Sequence, residues 1–309
     1  MDPSWRPAAT PRGLAARAAT LRAIREFFAQ RGVMEVETPL LGHAAVPDEA
    51  TRPLGCGGMF LSTSPEPAMK RLLATGCGPI YQITRAFRDE ELGSLHNPEF
   101  TMLEWYRPGW NWEALAREAV ELMQTVLGPG PVHEFTYAQL FRNWAGVDAY
   151  NDPEARLAAM LEGPVPSGLD RWGLLDLLLV QRVEPVLRTL DGVVMVTRFP
   201  AERAAMAVID PGPPPTARRF ELYARGVELV NGYQELTDWQ EQAARFEHAN
   251  RRLEAEGRSP LPVDRNFLAA LRAGLPECAG AALGVDRLVM LSVGATSLGE
   301  VLAFPFDRA

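Results

Sequence analysis

The chain has 309 residues, 47% of them apolar and 23% charged, enough for one large core or a core with a small appendage. A net charge of −8 argues against extensive, non-specific contact with a nucleic-acid backbone but does not exclude a local basic patch. Three scattered cysteines (Cys56, Cys77, Cys278) suggest neither a disulfide framework nor a zinc site, which points to a reducing cytoplasm.

Residues 14–30 place Leu14, Ala18, Leu21, Ile24 and Phe28 at helical spacing, with Gly32 as the stop. Arginines punctuate this Ala-rich stretch, so it does not read as a signal peptide. The run VMEVETPLL alternates as a strand up to Pro39. A second helix is predicted to start after Ser64-Pro65, because serine caps and proline fits the first turn, and to run through Lys70. Lys70 is the only lysine among 31 basic residues. The excess of arginine reads as codon usage in a GC-rich genome.

Residues 81–106 read as two strands joined by a polar loop. Gln82, Thr84, Ala86, Arg88 and Glu90 share one face of the first strand, and Phe100, Met102, Glu104 and Tyr106 one face of the second. An amphipathic helix over 111–127 stops at Gly128-Pro129-Gly130-Pro131. Residues 135–190 are helical and loop-like and read as a peripheral insertion. Their most apolar run, 174–180, contains Asp176 and is far shorter than the roughly 20 residues a bilayer needs. A buried strand over 193–199, a loop over 211–215, strand character over 220–236 and a polar helix over 240–256 follow. The end, CAGAALGVDRLVMLSVG, is a small-residue strand leading into an apolar helix. Strands gathered in two blocks imply an α+β fold with an antiparallel sheet flanked by helices. Neither GxGxxG nor a Walker loop is present.

The hairpin offers a cation, carboxylates, an aromatic plate and a phenol to one cavity, a set suited to a nucleoside triphosphate beside an amine-bearing substrate. An isolated Arg88 beside Glu90 would be a surface ion pair; Phe87, the HNPEF loop and Tyr106 shift that balance. Glu221 and Glu228 flank Tyr223-Ala224-Arg225-Gly226, which reads as a four-residue turn that would set the two carboxylates directly opposite each other. Mg²⁺ would relieve their repulsion, though two exposed glutamates on a solvated edge fit the same pattern. Asn231, Tyr233 and Glu235 share a face at period two. Glu228 has the other parity, so a bulge near Val230 is required to aim both sets at one cavity; alternatively Asn231-Gly232 is a hairpin turn. Arg287, in GVDR after a Gly-rich strand, sits in the first turn of a helix, where anions are favoured. A capping Asp286 beside a solvent-facing arginine is the alternative.

Together these segments resemble the class II aminoacyl-tRNA synthetases of the lysyl type. RGVMEVETPLL is similar to their motif 1, FRDEELGSLHNPEFTMLEWY to motif 2, VELVNGYQELTD to the stretch between motifs 2 and 3, and GAALGVDRLVML to motif 3. The resemblance spans about residues 15–309 and implies one class II catalytic domain, a homodimer, ATP as substrate and Mg²⁺. It implies that Arg88 holds the α-phosphate, Phe100 stacks on adenine and Arg287 holds the γ-phosphate. Asp89, Glu90, His96, Asn97, Glu228, Leu229 and Gly284 would complete the ATP site, with Glu221 and Glu228 carrying the metal. Ser64, Pro65, Glu66, Glu104, Tyr106, Asn231, Glu235 and Ala282 would bind the amino acid and its amines.

Two departures refine the expectation. Few residues precede motif 1, leaving no room for an anticodon-binding barrel, and Ala282 stands where the synthetases carry glycine. Both resemble the stand-alone paralogues that ligate (R)-β-lysine to elongation factor P. The expected acceptor is therefore elongation factor P. Truncated tRNA-charging or α-lysine-activating enzymes and a non-catalytic regulatory paralogue are the alternatives. Ser64-Pro65-Glu66-Pro67-Ala68 differs from the bulkier residues these families carry after the glutamate.

Overall fold

A computed structural model describes residues 5–48, 51–89, 92–166 and 168–309. It divides into two compact units, one formed by residues 1–128 and 235–309, the other by 129–234.

In the first unit, strands β1 (Met34–Glu35), β2 (Ile80–Phe87), β3 (Glu99–Pro108) and β4 (Cys278–Gly284) lie side by side in that order. β1 runs parallel to β2, and the remaining pairs are antiparallel. Motif 1 therefore pairs over only two residues, less than the strand expected up to Pro39, because Pro39 lacks a donor and the chain leaves the ladder after Val36 bonds the Tyr81 carbonyl. Leu41–Gly42, Met59–Leu61 and Gly55–Cys56 form a separate small antiparallel sheet.

Six helices frame β1–β4: α1 (Pro11–Ala29), α2 (Glu66–Leu73), α3 (Trp112–Leu127), α4 (Trp239–Ala255), α5 (Arg265–Gly274) and α6 (Val285–Ser292). α1 begins where the Thr10 hydroxyl accepts the Gly13 N–H and Pro11 enters the first turn. Its Phe28 stacks on Tyr81 at 4.5 Å and lies 5.8 Å from Trp105. α3 starts at the Asn111 cap and places Glu118 against Trp105 Nε1 and the Arg107 guanidinium. The alternation of β3 thus sends Trp105 and Arg107 to the face covered by helices and Glu104 and Tyr106 to the other. α5 lies outside the helices that the sequence pattern predicts; no helix of the described residues is long and apolar enough to cross a membrane.

The second unit holds an antiparallel hairpin, Thr216–Ala224 with Val227–Gln234. Val193–Pro200 pairs antiparallel with Thr216–Ala224, and Val132–Thr136 runs parallel to Val193–Pro200. Ile209–Asp210 adds a short antiparallel rung. Short helices at Tyr137–Leu140, Glu154–Ala159, Arg171–Leu178 and Glu184–Leu187 account for the helical character read over 135–190.

Candidate active site

The assigned residues fall into groups, each inside one unit. The first lines a pocket built on β3. Glu104 pairs with Gln82 on one side and Ala282 on the other, and Tyr106 pairs with Gly280. Directly paired residues share a face, so Glu104, Tyr106, Gly280 and Ala282 line one wall. The Tyr106 hydroxyl donates to Glu104 Oε1 at 2.6 Å, and the Ser64 hydroxyl donates to Oε2 at 2.7 Å. Ser64 Oγ also accepts the Glu66 N–H at 3.0 Å, but the N-cap of α2 is Pro65, one residue later than the expected serine, and no side chain caps the helix.

Glu66 opens α2, and Lys70 follows four residues later on the same face. Lys70 Nζ lies 2.5 Å from Glu66 Oε1 and 2.5 Å from Glu235 Oε2. Glu235 is anchored through its N–H to the Cys278 carbonyl, at the start of β4. Glu104, Glu235 and Lys70 are all buried. Gly280 is required by close approach: a Cβ there would collide with Glu235 Oε1 and the Tyr106 ring.

Burial dominates the electrostatics. It raises Glu104 to about 7, with the Glu66 charge adding to it and the Tyr106 and Ser64 hydroxyls opposing it. Burial likewise raises Glu235 to about 8, Lys70 opposing and the Glu66 and Glu104 charges reinforcing. For Lys70, burial disfavours the ammonium, but Glu235 and Glu66 outweigh it and hold the group above its usual value. Without a cation from outside, the pocket carries more carboxylate than it can ionise near neutrality.

The second group surrounds the motif 2 loop. The Arg88 guanidinium lies over the Phe100 ring at 5.1 Å, and the Arg88 N–H bonds the Pro98 carbonyl. The Asp89 N–H bonds Arg52 O; Glu90 lies outside the described residues. Arg287 reaches back from α6, donating from Nε to Leu95 O at 3.2 Å and from Nη2 to His96 Nε2 at 2.8 Å. A guanidinium only donates, so His96 accepts at Nε2. The solvent-arginine alternative is thereby replaced. Asp286 is buried, accepts the Thr101 N–H at 2.8 Å and pairs with Arg17 at 2.5 Å, pegging the start of α6 to β3 and α1. Gly284 stands at the junction of β4 and α6. Asn97 spends its side-chain amide on Glu99 O and the Phe306 N–H, bracing the loop and the C-terminal segment.

The third group, in the second unit, corrects the hairpin geometry. Glu221 faces Asn231, not Glu228; Glu228 faces Tyr223. The turn is the two-residue Arg225-Gly226, both at positive φ, and not a four-residue turn. Leu222 pairs with Val230 and Tyr223 with Glu228, which leaves Leu229 as the bulged residue. The bulge expected near Val230 is there, and it returns Glu228 to the face of Asn231 and Tyr233. Asn231-Gly232 lies within the strand and is not a turn.

Arg219, not anticipated from sequence, sits on that face. It pairs with Glu221 and donates to Asn231 Oδ1 at 3.0 Å. The Tyr223 hydroxyl also donates to Glu221, and burial, then the charges of Glu221 and Glu228, keep that phenol protonated. Two carboxylates on one face are hard-oxygen donors of the type Mg²⁺ takes. Among the described residues no three acidic, histidine or cysteine side chains gather around a point, so an ion here would complete its shell from phosphate or water.

Lys70 and Gly280 likewise escaped the sequence reading. The i,i+4 spacing of Glu66 and Lys70 and the small-residue run CAGAALG were their available signals.

Residues 5–308 match the family model described as tRNA synthetases class II (D, K and N). Among curated proteins, the chain is 46% identical over 321 aligned positions to the elongation factor P–(R)-beta-lysine ligase of Klebsiella pneumoniae, covering 99% of this chain and 98% of the relative. The protein of that name from Salmonella gallinarum is similar to the same extent, 46% with the same coverage. Both the fold and these matches lead to one assignment: the chain belongs to the class II (D, K and N) tRNA synthetase family.

Proposed function

We propose that this chain is an ATP-dependent ligase that activates (R)-β-lysine and transfers it to a lysine side chain of elongation factor P. The observation that carries this reading is the cluster of buried Glu104, Glu235 and Tyr106 with the part-buried Glu66, a cation-demanding pocket in a chain 46% identical over nearly its whole length to ligases of that name.

In the first step the substrate carboxylate attacks the α-phosphorus of ATP and pyrophosphate leaves. The carboxylate is already ionised, so no general base is required, and rate comes from positioning and charge stabilisation. Arg88 would neutralise the α-phosphate, Phe100 would carry adenine, and Arg287 with His96 would meet the γ-phosphate. Asp89, Glu90, Asn97, Glu228, Leu229 and Gly284 complete the nucleotide site in this reading. Glu221 and Glu228 would hold Mg²⁺, which supplies charge neutralisation to phosphate when bound.

In the second step an ε-amine of the acceptor attacks the acyl carbon; AMP leaves and the nitrogen loses a proton. Ser64, Pro65, Glu66, Glu104, Tyr106, Asn231, Glu235 and Ala282 would hold the amino acid. The Ala282 methyl, next to Glu104 on the wall, would exclude an amino group at the α position. We further propose that the chain acts as one catalytic domain, as a homodimer in the cytoplasm and without extensive tRNA contact.

The decisive experiment incubates the enzyme, ATP and each lysine isomer with elongation factor P or tRNA and weighs the acceptors by mass spectrometry. A β-lysyl mass on elongation factor P is expected. Acylated tRNA with unmodified elongation factor P would overturn the acceptor assignment.

A further inference from the structure

The pocket assigned to the amines already contains an ammonium. Lys70 Nζ contacts Glu66 and Glu235 at 2.5 Å each, with Phe267 of α5 at 5.8 Å, and none of the side chain reaches solvent. Titratable groups from the elements around it act on it: Glu66 on α2, Glu104 on β3, Glu235 ahead of α4, and Cys278 on β4.

A buried ion triad is a poor stability device. Desolvation offsets most of its attraction, and well-packed apolar replacements are often as stable. Composition adds a second observation. Every other basic residue of the chain is arginine, yet here a lysine stands. Guanidinium is planar and broad, whereas ammonium is a compact point charge that fits between two carboxylates.

We propose that Lys70 is a positioning and specificity residue that sets the pocket's charge at minus two, so that the pocket accepts an amino acid carrying two ammonium groups and disfavours one carrying a single group. This inference rests on the proposed activation of a diamino acid. Three carboxylates against one resident ammonium leave two negative charges, and a diammonium ligand brings two positive ones. Lys70 also pins one oxygen of Glu66 and one of Glu235. The second oxygen of Glu235 is thereby held over Gly280, beside Tyr106. Lys70 acts through these glutamates and does not itself touch the substrate. In the ligand-free protein, protons held on Glu104 and Glu235 stand in for the missing cations, and a diamino acid would displace them.

Because Lys70 is the only lysine, isotope-labelled lysine gives a single side-chain signal by NMR. The expected result on the intact enzyme is an ammonium signal that shifts on adding β-lysine and is moved much less by a β-amino acid of the same length ending in methyl. A signal indifferent to a saturating diamino acid that the enzyme activates would overturn the proposal.

Kinetics supplies the second arm. In ATP–pyrophosphate exchange, Lys70→Met is expected to raise KM for β-lysine about 10–100-fold, the range for one charge-assisted contact, with kcat little changed. The preference for β-lysine over the methyl-ended analogue should change with it, because both the pocket's charge and the seats of Glu66 and Glu235 change. An unchanged KM and preference in Lys70→Met would sink the role given to Lys70 while leaving diamino-acid activation standing. Failure of the wild-type enzyme to activate any diamino acid would instead remove the functional reading beneath it. Should Lys70→Met not fold, the NMR measurement still decides.

Discussion

A single hydrogen atom marks the tightest point of the pocket wall. Gly280 lies opposite Tyr106, and a methyl there would meet the ring and Glu235 Oε1 together. The Tyr106 hydroxyl in turn holds Glu104, so displacing the ring shifts two of the pocket's carboxylates at once. Gly280→Ala is expected to destabilise the fold by about 1–3 kcal/mol through overpacking. It should also cut β-lysine-dependent ATP–pyrophosphate exchange by about 10²-fold, since displacements near 1 Å at a positioned group have that effect. Thermal denaturation and exchange kinetics check the two halves separately. Ala282, two residues on, tolerates its methyl because its partner across the ladder is Glu104 and not an aromatic ring.

At the scale of elements, parity decides what the site contains. In β3 unbroken alternation delivers Glu104 and Tyr106 to one face while Trp105 and Arg107 anchor the other against α1 and α3. In Val227–Gln234, by contrast, regular alternation would send Glu228 to the face opposite Asn231 and Tyr233. Leu229 absorbs one residue and corrects this. Deleting Leu229 makes the alternation regular and leaves Glu228 opposite Tyr223, on the face of Asn231, so the deletion variant is expected to retain ATP–pyrophosphate exchange with circular dichroism close to the parent. A loss of about 10²-fold in the deletion variant would show that the bulge does more than aim Glu228. Arg17, Asp286 and the Thr101 N–H perform the corresponding service for Arg287, fixing the helix start from which it reaches the motif 2 loop.

For the whole molecule, the buried carboxylates tie stability to pH. Glu104 and Glu235 are raised from 4.5 to about 7 and about 8. The folded protein therefore binds more protons than the unfolded chain between those limits. Their contribution is fully present below about 4.5 and is lost as pH rises through about 7 to 8. The ligand-free enzyme is expected to melt at lower temperature as pH is raised across that window, and Glu104→Gln should flatten the slope. β-Lysine should reverse the trend, stabilising most at the upper end, where the carboxylates are already ionised. Melting curves with and without β-lysine test both; an identical slope in Glu104→Gln would remove Glu104 from the account.

Much of this was written locally. The hairpin faces around Glu104 and Tyr106, the start of a helix just after Ser64-Pro65, the helix after Gly284 and the need for a bulge near Val230 follow from period-two alternation, the helix-entry preferences of serine and proline, and parity. These depend on neighbours a few residues apart, so the chain itself determined them. The class II resemblance drew on the same segments. Tertiary structure alone decided that Glu221 faces Asn231, because a two-residue turn and one extra residue fix a register that residue type does not reveal. It alone joined Lys70 to Glu235 and pressed Gly280 against Tyr106, contacts between positions more than 160 apart along the chain. Burial then raised the two carboxylates. Desolvation and close approach belong to no residue in isolation, which is why the pocket's charge became legible only once the chain had folded around it.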